Sequence, residues 1–299
     1  MYSGLLIILL PLIVGYFIPV KRPTLLHLVN NLLSWMVYVI LFIMGVSLAF
    51  LDNLSANLLM IFKYTAFFFV CILAVNLLAL WLLERRKPWK TKHHQEVLPS
   101  RLHMALDSLR LCFVVVAGFL LGLTQWHWLT YASQASEAAL IFLLLLVGAQ
   151  LGNSSLTLRQ IVLNRRGMLV ASVGAIASLG GGMIAALCLG LPLKTGLAMA
   201  SGYGWYSLSG IVLTDSFGPV IGSAAFFNDL ARELCAIMLI PTLVRSNRSS
   251  ALGLCGATSM DFTLPVLQRS GGLDMVPAAV VHGFLLSLLA PVLMAVFSS

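Results

Sequence analysis

The sequence contains few charged residues, and acidic residues are especially scarce. Only 9% of its 299 residues are Asp, Glu, Lys or Arg, and ten residues are acidic. A soluble domain carries roughly 25% charged residues, so this composition excludes an ordinary water-soluble fold. A hydrophobic content of 60% and a mean hydropathy of +0.99 instead indicate a protein with several membrane spans.

Cysteine is also scarce, and no two cysteines are spaced as CxxC. All five lie in apolar or membrane-associated stretches. This is typical of small hydrophobic residues and not of a disulfide framework or a zinc site, so we expect no metal and no other cofactor. The net charge of +8 would suggest nucleic acid in a soluble chain. Here the basic residues mostly lie between apolar stretches, so no nucleic-acid partner is expected.

Long apolar stretches make up most of the sequence. Eight of them are candidates for membrane-spanning helices, which need about 20 residues: 4–20, 28–50, 58–83, 107–124, 136–152, 168–191, 219–244 and 273–297. Two shorter segments, 195–215 and 251–268, are interrupted by polar residues and glycine. The sequence predicts an all-α transmembrane domain over residues 1–299, with eight full helices and two re-entrant or broken segments. An alternative is ten segments arranged as a five-plus-five inverted repeat.

The positions of the basic residues predict the orientation. Fifteen of the eighteen Lys and Arg residues follow spans that end on one side of the membrane, if both termini lie on the other side. Seven of the fifteen fall between residues 84 and 110. By the positive-inside rule the basic side is cytoplasmic, which places the loop 84–106 in the cytoplasm and both termini outside.

Four acidic residues fall within membrane segments, namely Asp215, Asp229, Glu233 and Asp261. Asp229 and Glu233 are four residues apart and share one helical face. Arg232 can neutralise Asp229, but one base cannot neutralise both acids. Glu233 lies near the middle of its span, where it must bind a proton, water or a cation.

The two interrupted segments are candidates for the lining of an intramembrane cavity. Asp261 lies in "GLCGATSMDFTLP" with Thr258 and Ser259, and broken segments of this kind supply backbone groups to transport sites. A helix cap is the alternative role for Asp261. The segment "SGYGWYSLSG" adds Tyr203, Trp205, Tyr206 and Ser207. Their aromatic rings could wall a cation site or form an interfacial belt.

Four stretches resemble a known family. They are "NRRGM" (164–168), "LAMASGYGWYSLSG" (197–210), "SFGPVIGSAAFFNDLARE" (216–233) and "ALGLCGATSMDFTLPVLQ" (251–268). They are similar to the LysO family of lysine exporters of bacterial inner membranes, over essentially the whole chain. The resemblance implies export of L-lysine and its toxic analogue thialysine, with proton antiport as the coupling. It also implies that Glu233 and Asp261 form the functional pair.

Two other functions compete with this interpretation. A sodium–proton antiporter would use the same acids without an amino-acid substrate. An intramembrane aspartyl protease would need two aspartates that share a proton and a GxGD signature. The local contexts here are "FFND" and "TSMD", so no enzyme activity is expected. The oligomeric state is left open.

We predict that a cysteine replacing Lys92 is labelled by a membrane-impermeant thiol reagent only from the cytoplasmic side. The reason is the concentration of basic residues in its loop. The measurement uses single cysteines in a cysteine-free background. A cysteine replacing Lys194 is the control and should be labelled from the opposite side. Periplasmic labelling at position 92 would overturn the orientation.

Overall fold

The computed structural model consists of α-helices joined by short turns and 3₁₀ segments. It describes residues 10–11, 13–19, 23–50, 54–89, 113–126, 129, 131–153, 164–260 and 262–299. No β-strand occurs among these residues. The predicted all-helical class is therefore confirmed for the described part of the chain.

Residues 10–11 and 13–16 are helical. The five helices that follow are α1 (Pro23–Ala49), α2 (Leu54–Arg86), α3 (Phe113–Gly122), α4 (Ala132–Gly152) and α5 (Arg165–Leu189). The next five are α6 (Leu193–Ala200), α7 (Tyr206–Phe217), α8 (Pro219–Ser246), α9 (Arg248–Cys255) and α10 (Leu264–Gly271). The last helix is α11 (Val276–Ser298). Short 3₁₀ segments span Gly256–Met260 and Leu273–Met275.

The structure does not confirm the predicted count of eight complete spans. By length and composition, four described helices can cross a membrane: His27–Val46, Ala56–Arg86, Arg165–Leu189 and Val276–Ser298. Residues 4–9, 12 and 20 of the predicted span 4–20, and residues 107–112 of the span 107–124, lie outside the described residues. Helix α8 is 28 residues long but is not among the four. Its interior carries Asn, Asp, Arg and Glu, and these lower its hydropathy.

Local sequence signals set the helix ends near these segments. The Asn164 side chain accepts a hydrogen bond from the Gly167 amide at 2.9 Å and caps the start of α5. Gly190 ends α5 in the left-handed conformation, with φ of +68°. The Asn247 side chain caps α9 in the same way as Asn164, through the Ser250 amide at 2.8 Å. Each cap satisfies a backbone amide that the helix leaves unpaired.

Both interrupted segments are broken helices. Residues 201–205, the first break, separate α6 from α7. The 3₁₀ turn Gly256–Met260, the second break, follows α9 and precedes α10. Positive φ angles occur at Tyr203 (+50°) and Gly204 (+89°) in the first break and at Gly256 (+62°) in the second. Such angles do not occur in a right-handed helix, so the helical hydrogen bonds are interrupted here.

The two breaks are in direct contact. The Ala257 amide donates a hydrogen bond to the Tyr203 carbonyl at 2.9 Å. A side chain at Gly256 would overlap that same carbonyl, so only glycine allows this approach. Helix α8 packs against α2, α7 and α9, and α11 packs against α5 and the second break. The breaks are therefore held together in the interior of the helical bundle.

We predict that Gly182→Ala destabilises the protein by about 1–3 kcal/mol, the usual cost of overpacking. Gly182 on α5 and Gly196 on α6 touch through their backbones, and a methyl group on either residue would overlap the carbonyl of the other. Thermal unfolding in detergent measures the effect. Gly180→Ala is the matched control, because its methyl group would lie 3.9 Å from Val75. Equal unfolding temperatures for the two variants would contradict the predicted contact.

Candidate functional site

Helix α8 carries a group of buried polar side chains at its middle. Asp229 is 1% exposed, Glu233 is 2% exposed, and Asn228 and Arg232 are also buried. Their spacing of three to four residues places them around neighbouring turns of the helix. Charges are costly to bury, so each must find a partner within the protein.

Asp229 binds the first break. Its Oδ1 atom accepts hydrogen bonds from the Gly204 amide at 3.2 Å and from the Asn228 side chain at 3.1 Å. Its Oδ2 atom accepts one from the Ser209 hydroxyl of α7 at 2.7 Å. A side chain at Gly202 would overlap Oδ2. The carboxylate thus satisfies an amide that the interrupted helix leaves without a helical partner.

Arg232 binds the other interrupted segment. Its Nε donates to the Leu254 carbonyl at 3.1 Å, and its Nη2 donates to the Gly253 carbonyl at 2.7 Å. These carbonyls lie in the last turn of α9, where a positive charge is favourable. Gly256 is close to the guanidinium, since a Cβ atom there would lie 3.4 Å from Cζ of Arg232.

The direct neutralising pair of Asp229 and Arg232 is therefore not the arrangement in the structure. The two charges attract one another through space, but their hydrogen bonds go to different segments. The acid binds the first break and the base binds the end of α9. Sequence spacing predicted that both residues are buried and close together. It did not predict these partners, because they come from segments distant in the chain.

Glu233 is buried on α8, and α8 packs against α9, the helix that precedes the second break. Asp261, its predicted partner, lies outside the described residues. The Glu233–Asp261 pair therefore stays a prediction. The 3₁₀ turn Gly256–Met260, which immediately precedes Asp261 in the chain, is described and packs against α11.

Thr258 and Ser259, which were predicted to line the site, are both buried in the second break. Thr258 donates to the Cys255 carbonyl at 2.8 Å, and Ser259 donates to the Ala279 carbonyl at 2.9 Å. Ser259 also contacts Nδ1 of His282 at 2.8 Å. Because the single hydroxyl proton goes to Ala279, Nδ1 must carry a proton and donate to Ser259. His282, which was not among the predicted site residues, thus stabilises the second break through a hydrogen bond to Ser259.

The aromatic residues of the first interrupted segment divide into two groups. Tyr203 is 1% exposed, and its hydroxyl has no hydrogen-bond partner among the described residues. Ser207 is buried too, whereas Trp205 and Tyr206 are half-buried, with Tyr206 edge-on to Phe226 at 5.8 Å. Asp215 is exposed in the last turn of α7. A role for these residues in lining the site stays a prediction.

Sequence reasoning missed Asn76 on α2. Its Nδ2 atom donates to the Ser178 hydroxyl of α5 at 2.9 Å and to the Ile72 carbonyl at 2.9 Å. Together with Asn228 and Arg232, Asn76 lines a small cavity whose remaining walls are Phe69, Ile72, Leu73 and Leu254. A lone asparagine in the apolar run "FFFVCILAVNLLALWLL" was the signal that could have identified it.

A second polar cluster joins the far end of α2 to α5 and α9. The Glu84 carboxylate forms an ion pair with Arg166 at 2.6 Å. The same carboxylate accepts hydrogen bonds from the Ser249 amide and hydroxyl at the start of α9. The guanidinium of Arg166 also lies over the ring of Trp89, at 5.3 Å. Both ends of α9 are therefore bound through charged groups.

The described residues include no group of three His, Cys, Asp or Glu side chains that could hold a metal ion. The buried polar side chains of α8 form a layer of acids and amides with one guanidinium. This layer lies where the two broken helices meet. Such a layer can bind a polar or charged solute inside a membrane protein.

Comparison with known proteins gives consistent matches. The model of the family described as lysine exporter LysO matches residues 112–298. The chain is 67% identical to "Lysine exporter LysO" of Escherichia coli (strain K12) over 299 residues, which cover 100% of both chains. It is 43% identical to a "Putative lysine exporter" of Haemophilus influenzae (strain ATCC 51907 / DSM 11121 / KW20 / Rd) over 185 residues. That alignment covers 62% of this chain and 95% of the relative. No solved structure matches.

We predict that Asp229→Asn lowers the stability of the protein by about 1–3 kcal/mol, the cost of leaving buried polar groups unsatisfied. The amide keeps one acceptor oxygen but loses the second acceptor and the charge that attracts Arg232. The measurement is thermal unfolding in detergent. Asp274→Asn is the control, because Asp274 is exposed. An Asp229→Asn variant as stable as the parent would show that this carboxylate does not hold the first break.

Proposed function

Because the chain belongs to the lysine exporter LysO family, we propose that it exports L-lysine from the cytoplasm, and that it also exports the toxic analogue thialysine. The family match over residues 112–298 and the full-length relative named as a lysine exporter support the first part. The apolar helices support a place in a membrane, which we take to be the bacterial inner membrane. We further propose that both termini are periplasmic.

The observation that carries the proposal is the buried polar layer on α8 at the meeting point of the two breaks. Lysine at neutral pH has two ammonium groups and one carboxylate, for a net charge of plus one. Carboxylates inside the protein suit ammonium groups, since opposite charges attract strongly where water is excluded. We assign this role to Glu233 and Asp261. Glu233 is buried on α8, which packs against α9 of the second broken segment.

Proton antiport is the coupling that fits these acids. Export of a cation against an inside-negative potential costs about 2.3 kcal/mol for each 100 mV. Inward movement of protons offsets this cost. A carboxylate that binds either a proton or the substrate ammonium, but never both, exchanges one for the other. In this scheme Asp229 and Arg232 also hold the broken segments around the site.

We predict that Glu233→Gln and Asp261→Asn each abolish proton release when lysine is added to inside-out vesicles. The amides preserve size and much of the hydrogen bonding but cannot exchange a proton at neutral pH. Proton release is followed with a pH-sensitive dye at matched protein levels. The parent and the control variant Asp274→Asn should both release protons.

Two results would change this assignment. Normal proton release from either amide variant would remove that acid from the mechanism. Loss of the variant protein from the membrane would show that the acid is needed for folding.

A further inference from the structure

Arg232 has binding capacity that the fold does not use. A guanidinium carries five N–H donors, and the recorded hydrogen bonds of Arg232 come from Nε and Nη2. Its Nη1 atom donates to no described residue. No described carboxylate forms an ion pair with the Arg232 guanidinium either. The two carboxylate oxygens of Asp229 instead accept hydrogen bonds from Gly204 in the first break and from Ser209 on α7. A buried guanidinium with free donors favours an anionic ligand.

Arg232 lines the small cavity between α2, α8 and α9. The two amide side chains on its wall, Asn76 and Asn228, make the surroundings polar, and the other four wall residues are apolar. The cavity has room for little more than a water molecule in this conformation. The group that fits it is therefore small and polar, and it would enter with an apolar chain beside it.

We propose that Arg232 binds the α-carboxylate of the transported amino acid, an inference that rests on the function proposed above. The two carbonyls that accept from Nε and Nη2 fix the plane of the guanidinium. A guanidinium held in this way can bind a planar carboxylate without a further change in its orientation. The substrate ammonium groups then lie toward the acids of the same layer. Arg232 accordingly selects amino acids over diamines, which carry the same ammonium groups but no carboxylate.

The first experiment uses the parent protein in inside-out vesicles and measures uptake of labelled lysine. Unlabelled lysine, cadaverine and lysinamide serve as competitors. Cadaverine and lysinamide lack the carboxylate and should compete at least about tenfold more weakly than lysine, the factor expected when one charge-assisted hydrogen bond is lost. Equal competition by all three would overturn the proposal. Absence of lysine uptake by the parent would instead contradict the proposed function itself.

The second experiment locates the subsite with Asn76→Asp. This change places a carboxylate on the cavity wall, where it competes with the substrate carboxylate for Arg232. Lysine should compete about tenfold more weakly than in the parent, whereas competition by cadaverine should change less than about twofold. Asn57→Asp, on the same helix but not in the cavity wall, is the control and should leave both unchanged.

The remaining outcomes are also decisive. An equal loss for lysine and cadaverine in Asn76→Asp would mean that the cavity is structural, and the proposal would fall. Unchanged competition by both ligands in that variant would place the carboxylate elsewhere. If Asn76→Asp does not reach the membrane, Arg232→Lys replaces it. That variant keeps the charge but loses the planar fork, so it should weaken competition by lysine more than competition by cadaverine.

Discussion

The structure depends on the requirement that backbone groups inside a membrane protein be hydrogen-bonded. A broken helix leaves amides and carbonyls without helical partners, and lipid cannot satisfy them. In this protein two charged side chains of α8 form hydrogen bonds with these backbone groups. Asp229 accepts from the amide of Gly204, and Arg232 donates to the carbonyls of Gly253 and Leu254. The charges and the breaks therefore stabilise each other.

Helix α8 also links the two broken segments to each other. Because Asp229 and Arg232 are committed to different segments, the distance between the first break and the end of α9 depends on the rigid spacing of α8. Glycines at positions 202 and 256 bring the backbone against the charged groups. The site is thus formed by main chain as much as by side chains, as is common where transporters bind ions at broken helices.

Much of this organisation could be predicted from the sequence, and the failures have physical causes. The breaks at 201–205 and 256–260 were predictable because Gly, Ser and Thr interrupt apolar runs. The burial of Asp229 and Glu233 followed from their place in a long helix. The hydrogen-bond partners of Arg232 were not predictable. Helical spacing shows which residues share a face of α8, but it does not show which other segment packs against that face. The exposure of Asp215 was not predictable for a related reason, because its hydropathy context does not distinguish the end of α7 from its interior.

The most direct test of the account is the flux of labelled lysine in proteoliposomes that contain only the purified protein. Vesicles with an acidic lumen and vesicles without a pH gradient are compared. The account predicts that lysine accumulates in the acidic vesicles and that an agent which dissipates the gradient abolishes the accumulation. If lysine does not accumulate while the same gradient drives sodium into the vesicles, the buried acids serve an ion antiporter, and the account is wrong.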